Sequence, residues 1–467
     1  MEVDRCMDIE EILVYRIETE EGWGQLQGIL NQIIPPAFPN RDFVITDYGA
    51  VGDGITDCTE AFRKVMSTAN TAGGGRVIVP AGMYLTGPIH FRSNVNLYVS
   101  KEATIKFSQD LEKYLPLVLN RFEGVELYNY SPLIYSYGAM NLAITGEGIL
   151  DGSGDNEHWW PWKGKTEYGW QEGEPHQAED RDVLFAMAEE NVPVDERKFG
   201  SEHYLRPSFI QFYNSKNILI EGVTVKDSPM WQISPVLCEN ITIDKVRIIG
   251  HGPNTDGFDP DSCKNILIKN CYFDNGDDCI AIKSGRNGDG RRINIPCENI
   301  VIQNNYMKDG HGGITIGSEI SGSVRNVFAD NNVMDSPNLD RALRFKTNSV
   351  RGGIIENIYF RNTVVKSIGE EILIVDMNYE EGDAGEYTPI VRNIFVENLE
   401  SHGGKTGILM SAYDRTPITN VQFTNCTFHN VEIPFVLKNV EQLIFKNVNI
   451  NGQNYDDIKK DLACGNC

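Results

Sequence analysis

No stretch of about 18 consecutive apolar residues, the length that a transmembrane helix needs, occurs in this sequence. Residues 1–40 also lack the basic segment followed by an apolar segment that marks an export signal. Two locations stay open. We predict a secreted or periplasmic protein whose export signal is absent from this sequence. The alternative is a cytoplasmic protein.

Positive charge is scarce, since 42 Lys and Arg residues face 66 Asp and Glu residues and the formal net charge is −24. A surface this acidic repels nucleic acid and anionic lipid over long distances. We therefore expect neither nucleic acid nor a membrane as a partner, and we leave the oligomeric state open.

The ten cysteines lack the regular spacing of a disulfide framework or a zinc site. Most lie in apolar, strand-like segments, where a reduced cysteine behaves as a small hydrophobic residue. The terminal pair Cys464 and Cys467 has no second pair or histidine nearby, and whether the two form a disulfide stays open. We interpret residues 456–467 as an unstructured tail.

A phosphate-binding loop is also missing. Residues 47–54 are rich in turn formers and precede a predicted helix with Asp57 as N-cap and Glu60 at its third position. They contain neither Gly-Lys-Ser/Thr nor the G-x-G-x-x-G spacing. We expect this helix, with the strand at 76–80, to cover the open edge at the start of a stack of strands.

The spaced apolar residues of 8–34 predict a further helix, which ends at Pro35. We interpret residues 1–40 as an N-terminal helical extension with a packing role. Residues 41–455 then form a single catalytic domain.

A short pattern recurs in the rest of the chain, namely an asparagine followed by β-branched or aromatic residues. From Asn217 onwards these asparagines are 23, 25, 34, 27, 31, 36 and 27 residues apart. A minimum near 23 fits one coil of three short strands and three turns. Asparagine suits such a turn because it tolerates the left-handed conformation and can bond the backbone of its neighbours in a ladder. The predicted strands are 140–144, 216–220, 239–243, 264–268, 298–302, 325–328, 356–360, 392–396 and 419–423.

These segments have the period-two patterning of strands and no long 3.6-residue stripe, which argues against a helical repeat. We predict an all-β fold, a right-handed parallel β-helix with a short N-terminal helical cap, its hand following the rule for parallel crossovers. Residues 152–206 interrupt the repeat and contain four tryptophans. Two interpretations stay open for them: a local mini-core or an exposed stacking platform.

Four polar clusters interrupt the strands between residues 254 and 346. The steps from Asp256 to Asp278, then to His311 and to Arg344, are 22, 33 and 33 residues, about one coil each. Neighbouring strands lie about 4.8 Å apart, so the clusters would stack on one face. Carboxylates packed that closely raise each other's pKa and destabilise a fold, which predicts an active site. The clusters are Asn254-Thr255-Asp256, Gly276-Asp277-Asp278, Gly310-His311-Gly312 and Arg344-Phe345-Lys346.

Strand alternation places Arg344 and Lys346 on one face and Phe345 in the core. Two cations at this position repel a metal ion and attract a carboxylate or phosphate. We therefore expect no metal and no cofactor, and we expect Lys283 and Arg286 to extend the anion-binding site.

Asp277 and Asp278 would face opposite sides of a regular strand, but Gly276 permits a bend that turns both towards the groove. Repulsion would then leave one of them protonated near working pH. A protonated and an ionised carboxyl group are what glycoside hydrolysis requires.

The four clusters resemble, in order and spacing, those of glycoside hydrolase family 28, the polygalacturonases, and the similarity covers roughly residues 43–451. The resemblance implies a parallel β-helix that hydrolyses α-1,4-galacturonosyl linkages with inversion. By the same resemblance, Asp277 is the general acid and Asp256 and Asp278 hold and deprotonate the attacking water. The remaining implied site residues are His311, which tunes the acid or touches the sugar, and the substrate-binding residues Arg344, Lys346, Tyr379 and Asn254.

The expected partner is a pectic polysaccharide or an oligogalacturonide. We predict exo action, because the aromatic insertion could close one end of the groove. Alternatives are a rhamnogalacturonan or substituted-galacturonan hydrolase of the same family, a polysaccharide lyase on the same fold, and a β-helix that only binds glycan.

Overall fold

The chain winds into a stack of coils whose strands form three parallel sheets, and the fold is the predicted right-handed parallel β-helix. The computed structural model describes residues 22–455. The predicted tail 456–467 and residues 8–21 of the predicted first helix lie outside the described residues. Within the described part, no helix is long and apolar enough to cross a membrane.

The first sheet holds the strands that follow the repeated asparagines, and every one of the predicted repeat strands is present. Each strand pairs in parallel with its equivalent in the next coil. Its members are Asp42–Val44, Gly75–Val79, Val95–Val99, Met140–Gly146, Lys216–Glu221, Glu239–Asp244, Lys264–Lys269, Cys297–Gln303, Val324–Asp330, Ile354–Arg361, Ile390–Glu397, Ile418–Phe428 and Val440–Ile450.

The second sheet follows the first after one turn, and the last two long strands of the first sheet continue into it. Its other members are Asp53–Asp57, Gly82–Thr86, Ala103–Phe107, Ile149–Asp151, Thr224–Lys226, Arg247–Gly250, Tyr272–Asn275, Tyr306–Met307, Val333–Asp335, Val364–Ser367, Glu400–Ser401 and the antiparallel Gln453–Asn454.

The third sheet carries the polar clusters at the start of its strands. Single bridges at Ile233 and Phe258 continue it through two coils that have no longer strand there. Its members are Ile89–His90, Ile134–Tyr137, Ile210–Tyr213, Ile280–Ile282, Ile314–Gly317, Leu343–Lys346, Glu371–Asp376, Gly404–Ser411 and Val431–Lys438.

Elements outside the coils are few. Val118–Phe122 and Val125–Asn129 form an antiparallel hairpin. The α-helices are Leu26–Leu30, Thr59–Thr71, Ala178–Glu189 and Asn287–Ile293, and the 3₁₀ helices are Ile45–Tyr48, Leu111–Tyr114, Trp160–Lys163, Thr166–Tyr168 and Val194–Glu196.

The repeated asparagines form a continuous ladder along one turn. From Asn141 to Asn420 each has a φ between 54° and 59°. Each side-chain amide from Asn217 onwards donates to the amide oxygen of the previous coil at 2.9–3.3 Å. The residue after each asparagine is apolar and fully buried, as Ile266 and Ile300 are, and each such burial stabilises the fold by roughly 1.5–3 kcal/mol.

The predicted capping helix is present at the start of the stack, but its N-terminus differs from the prediction. The helix begins at Thr59 with Cys58 as N-cap. Asp57 accepts a hydrogen bond from the Thr59 N–H at 3.0 Å, and Glu60 pairs with Arg63, so the expected capping box does not form. The more N-terminal helix lies along the side of the stack, where Ile29 packs against the outer face of the first sheet.

The tryptophans of the insertion form a mini-core, which decides between the two interpretations that the sequence leaves open. Trp159 is 3% exposed and meets Trp162 edge to face, with ring centroids 5.3 Å apart. Trp160 donates to the Ser228 carbonyl at 2.9 Å, and Trp170 meets His176 at 5.5 Å. Trp159 and Trp160 therefore attach the insertion to the solenoid, whereas the Trp170 ring packs within the insertion.

Candidate active site

The register of the third sheet brings the four polar clusters onto successive coils. Phe258 pairs with Ile280, Ile280 with Ile314, and Ile314 with Leu343. Because each cluster lies at a corresponding place in its coil, residues far apart in the sequence meet beside one another. They line one pocket with a volume of about 280 Å³, close to the lower end of the range of roughly 300–1,000 Å³ for small-molecule sites.

Three carboxylates converge at this pocket, of which Asp256 and Asp277 line the cavity and Asp278 is fully buried. One oxygen from each of Asp256, Asp277 and Asp278 lies within 4.8 Å of the others. Gly276 precedes the pair at a point where the backbone passes closely, since a Cβ there would meet the Gly252 carbonyl oxygen at 2.6 Å. The glycine thus permits the close packing of this coil against the preceding one, beside which the two aspartates lie.

Asp278 is completely buried and receives three hydrogen bonds. Its Oδ2 accepts from Lys346 Nζ at 2.7 Å, and its Oδ1 accepts from Arg344 Nη1 at 3.2 Å and from the Thr315 hydroxyl at 2.9 Å. Burial raises the pKa of Asp278, but the charges of Lys346 and Arg344 outweigh burial and hold the pKa well below its ordinary value. Asp278 is therefore a permanent carboxylate that can accept hydrogen bonds but cannot supply a proton.

Asp277 forms a pair with His311. His311 Nδ1 lies 3.0 Å from Asp277 Oδ1, and the His311 side chain is 52% exposed. Burial raises the pKa of Asp277, but the hydrogen bond with His311 prevails and the pKa lies below its ordinary value. The same hydrogen bond raises the pKa of His311, although burial opposes it. In the free protein, Asp277 is thus ionised by its partner.

Asp256 and Asp259 share a single cation. Lys283 Nζ lies 3.9 Å from Asp256 Oδ2 and 3.5 Å from Asp259 Oδ1. Burial raises the pKa of both aspartates, and their mutual repulsion adds to the increase for Asp256. From the sequence we expected the proton to reside within the Asp277–Asp278 pair. The structure favours Asp256 and Asp259 instead, because they face only one ammonium group between them.

Asp259 was not among the predicted site residues. A signal for it exists in the sequence, because it follows Phe258 and so shares the register of Thr315 and Arg344 in the third sheet. Both of its oxygens are buried without a hydrogen-bond partner, which is a costly state for a carboxylate.

Lys283 and Arg286, which we expected to extend the anion-binding site, do line the pocket. Both side chains are buried and already paired with protein carboxylates. Lys283 Nζ lies 3.3 Å from Glu319, and Arg286 lies 3.2 Å from Glu319 and 3.3 Å from Glu381. These ion pairs compensate the two charges, and a direct contact of Lys283 or Arg286 with substrate stays a prediction.

Arg344 and Lys346 line the pocket as the strand alternation predicts, while Phe345 is 1% exposed in the core. The Tyr379 ring lies beneath both cations, its centroid 5.6 Å from the Arg344 guanidinium carbon and 5.4 Å from Lys346 Nζ. Asn254 has a positive φ of 56°, and its amide donates to Asp277 Oδ2 at 3.4 Å. These four substrate-binding candidates therefore line one pocket together with Asp256 and Asp277.

The insertion supplies one wall of the pocket, which the sequence could not place. Lys163, Lys165, Tyr168 and Arg181 all line the cavity. Arg181 in turn pairs with Glu123 of the hairpin at 2.8 Å. The site is consequently a pocket with a side wall and not an open groove.

The donor set of the three aspartates could hold a divalent cation, since their oxygens converge. The same carboxylates already contact Lys283, Arg344 and Lys346, whose charges compensate them and would repel a metal ion. A second convergent group, His251, Asp274 and Asp309, lies outside the pocket, and Asp274 is bound by Lys308 at 3.0 Å.

Comparisons with known proteins agree with this geometry. Residues 196–444 match the sequence model of the glycosyl hydrolases family 28, and residues 43–159 match that of "Rhamnogalacturonase A/epimerase, pectate lyase-like". A "Probable polygalacturonase" of Vitis vinifera is 28% identical, over 85% of this chain and 77% of the relative. An "Exo-poly-alpha-D-galacturonosidase" of Dickeya chrysanthemi is 26% identical, over 81% of this chain and 65% of the relative. The crystal structure of a hyperthermoactive exopolygalacturonase from Thermotoga maritima is 49% identical, covers 93% of this chain and 97% of its own, and has a TM-score of 0.91.

Proposed function

This chain belongs to glycosyl hydrolase family 28, and from that premise we propose that it is a pectin hydrolase that cleaves α-1,4-galacturonosyl linkages from a chain end. One observation carries the proposal: three aspartates converge within 4.8 Å in a pocket that also holds Arg344 and Lys346. The wall formed by the insertion favours exo over endo attack, because a pocket closed on one side admits only the end of a polymer. The exopolygalacturonase relative at 49% identity supports the same choice.

We assign the roles implied by the resemblance. Asp277 gives its proton to the leaving oxygen, the pair Asp256 and Asp278 holds the attacking water and takes up the proton that the water loses, and Arg344 and Lys346 bind a galacturonate carboxylate. Asp277 must gain a proton for this role, and a substrate carboxylate placed nearby favours it, because an added negative charge raises the pKa of a neighbouring acid. His311 sets how readily that proton is held.

We propose that the reaction inverts the configuration of the anomeric carbon because the family resemblance implies it. The distance between the aspartate carboxyl groups does not by itself predict inversion. Inverting glycosidases in general separate the two groups by roughly 6.5–9.5 Å, whereas the nearest oxygens here lie within 4.8 Å. Proton NMR of the first product anomer decides the point: the β-anomer from an α-linkage is expected, and the α-anomer would contradict inversion.

Product analysis tests the activity itself. We expect galacturonate monomer as the only early product from homogalacturonan, with activity that survives a chelator and gives no unsaturated sugar. Long oligomers appearing early would refute exo action, and unsaturated products would indicate a lyase.

The family match of residues 43–159 favours rhamnogalacturonan as a second candidate substrate, and faster turnover of that polymer would establish it.

We further propose that residues 41–455 act as one catalytic unit in a secreted or periplasmic protein, which fractionation of the source cells would test.

A further inference from the structure

One cation in the pocket lacks the carboxylate partner that its neighbours have. In the part of the chain that the structure describes, Lys163 makes no ion pair with any acidic side chain. Each of the other pocket-lining Lys and Arg residues lies within salt-bridge distance of at least one carboxylate: Lys165 of Glu167, Arg181 of Glu123, Lys283 and Arg286 of Glu319, and Arg344 and Lys346 of Asp278.

Lys163 is half-buried and held in place by one hydrogen bond. Its Nζ donates to Asn254 Oδ1 at 2.9 Å, which also accepts from Arg206 Nη2 at 2.8 Å. Burial and the nearby Arg206 charge lower the pKa of Lys163. An ammonium group has three donors, so two N–H groups remain to bind an anion that enters the pocket, and a half-buried cation gains free energy from such a partner.

Lys163 lies at the opposite end of the pocket, along the solenoid, from the cations Arg344 and Lys346. Lys163 bonds to Asn254, in the coil of Phe258, whereas Arg344 and Lys346 lie three coils further on, through Ile280 and Ile314. At about 4.8 Å per coil, this is roughly 14 Å between strands. The catalytic aspartates lie between the two cationic ends, and Asn254 links Lys163 directly to Asp277.

We propose that Lys163 binds the carboxylate of the non-reducing-end galacturonate, on the opposite side of the scissile bond from Arg344 and Lys346. The inference rests on the proposed galacturonosyl hydrolase function and adds to it the residue that binds the carboxylate of the sugar released from the chain end.

The test compares two substrates, digalacturonate and its analogue with a methyl ester on the non-reducing residue. The wild-type protein should prefer the free acid. Lys163→Met should lower kcat/KM for the free acid by roughly 10- to 100-fold, the range for a hydrogen bond to a charged group, and leave the ester nearly unchanged. Lys163→Arg should keep the preference because it keeps the charge. Lys198→Met is the matched control, since Lys198 lies in the same insertion but is exposed and outside the pocket.

Lys163→Gln provides a second neutral variant that can still donate to Asn254, and it decides the case if the Met variant does not fold. The inference is overturned if the wild type hydrolyses acid and ester equally well, or if a folded neutral variant keeps the wild-type preference. A wild-type protein that hydrolyses no galacturonide at all would instead refute the proposed function.

Discussion

The interior of the coils and the pocket on their flank are built from the same strands, yet they bury opposite kinds of side chain. In the interior, Ile266 and Ile302 are fully buried and contribute to stability. In the pocket, Asp259, Asp278 and Lys283 are buried just as completely, although burying a charge costs free energy unless it is paired. The buried apolar residues of the coils thus contribute the free energy of folding that offsets the cost of burying charged residues at the site.

Strand alternation generates both environments from one segment. In Leu343–Lys346 the side chain of Phe345 enters the core, while Arg344 and Lys346 face the pocket and bind Asp278. A register shift of one residue would exchange the two faces. Positions in the interior should therefore govern folding, and positions in the pocket should govern turnover with little effect on folding.

The largest expected effect is a loss of turnover that leaves the stability of the protein unchanged. Asp277→Asn keeps the shape of the side chain but removes the proposed acid, so kcat should fall by about 10²- to 10⁴-fold, the usual contribution of a general acid. The apparent Tm should stay close to that of the wild type. Steady-state kinetics and thermal unfolding measure the two effects.

The control for this variant is Asp195→Asn, at an exposed position of the insertion that does not line the pocket. It should leave kcat within about twofold, since surface changes rarely matter. Full turnover by the Asp277 variant would remove this residue from the mechanism and bring back the interpretation of a β-helix that only binds glycan.

The next effect concerns stability alone. Asn299 has a φ of 59° and links Asn265 to Asn326 in the ladder at 3.0 Å on each side. Asn299→Ala loses both hydrogen bonds, at about 1 kcal/mol each, and places a β-carbon in a left-handed conformation, at about 1–2 kcal/mol. The expected loss is roughly 3–4 kcal/mol, measured by denaturant unfolding, with kcat unchanged.

Asn299→Gly is the matched variant, because glycine adopts the left-handed conformation freely. It should lose roughly 1 kcal/mol less than the alanine variant. Equal losses in the two variants would show that the ladder stabilises the turn through its hydrogen bonds and not by tolerating the conformation.

The difference between the repeated coils and the pocket also explains which features could be predicted from the sequence. Every coil has the same turn, so the asparagine pattern at Asn217 and its equivalents predicted the strands and an asparagine ladder, although the ladder bonds join side-chain amides and do not run to the backbone. A second ladder, in which Asn331 donates to Asn304 at 2.7 Å, was not predicted, because the strands that follow these asparagines are only two to three residues long and give a weaker pattern.

The site was predictable only as far as it follows the repeat. Asp256, the pair Asp277 and Asp278, and His311 converge because they lie at corresponding places in three successive coils. The ionisation pattern could not be foreseen, because it depends on which cation reaches which carboxylate across coils. Lys163 likewise belongs to an insertion, whose path no repeat determines.

The smallest expected effect tests that ionisation pattern through His311. The hydrogen bond with His311 lowers the pKa of Asp277, so His311→Gln should raise that pKa. An acid with a higher pKa keeps its proton to higher pH, and the alkaline limb of the kcat/KM profile should therefore move to higher pH. The profile of each protein is measured on the same oligogalacturonide.

The pH dependence of stability gives an independent test of the direction in which the pKa of His311 is shifted. The pKa of His311 is raised in the folded state, so the pair stabilises the fold below the ordinary histidine pKa of about 6.5 and loses this contribution as pH rises through the raised value. The stability difference between wild type and His311→Gln should thus shrink with rising pH. His429→Gln, at an exposed position outside the pocket, should change neither profile. An alkaline limb that stays in place or moves to lower pH in the His311 variant would show that Asp277 is not the proton donor that His311 controls.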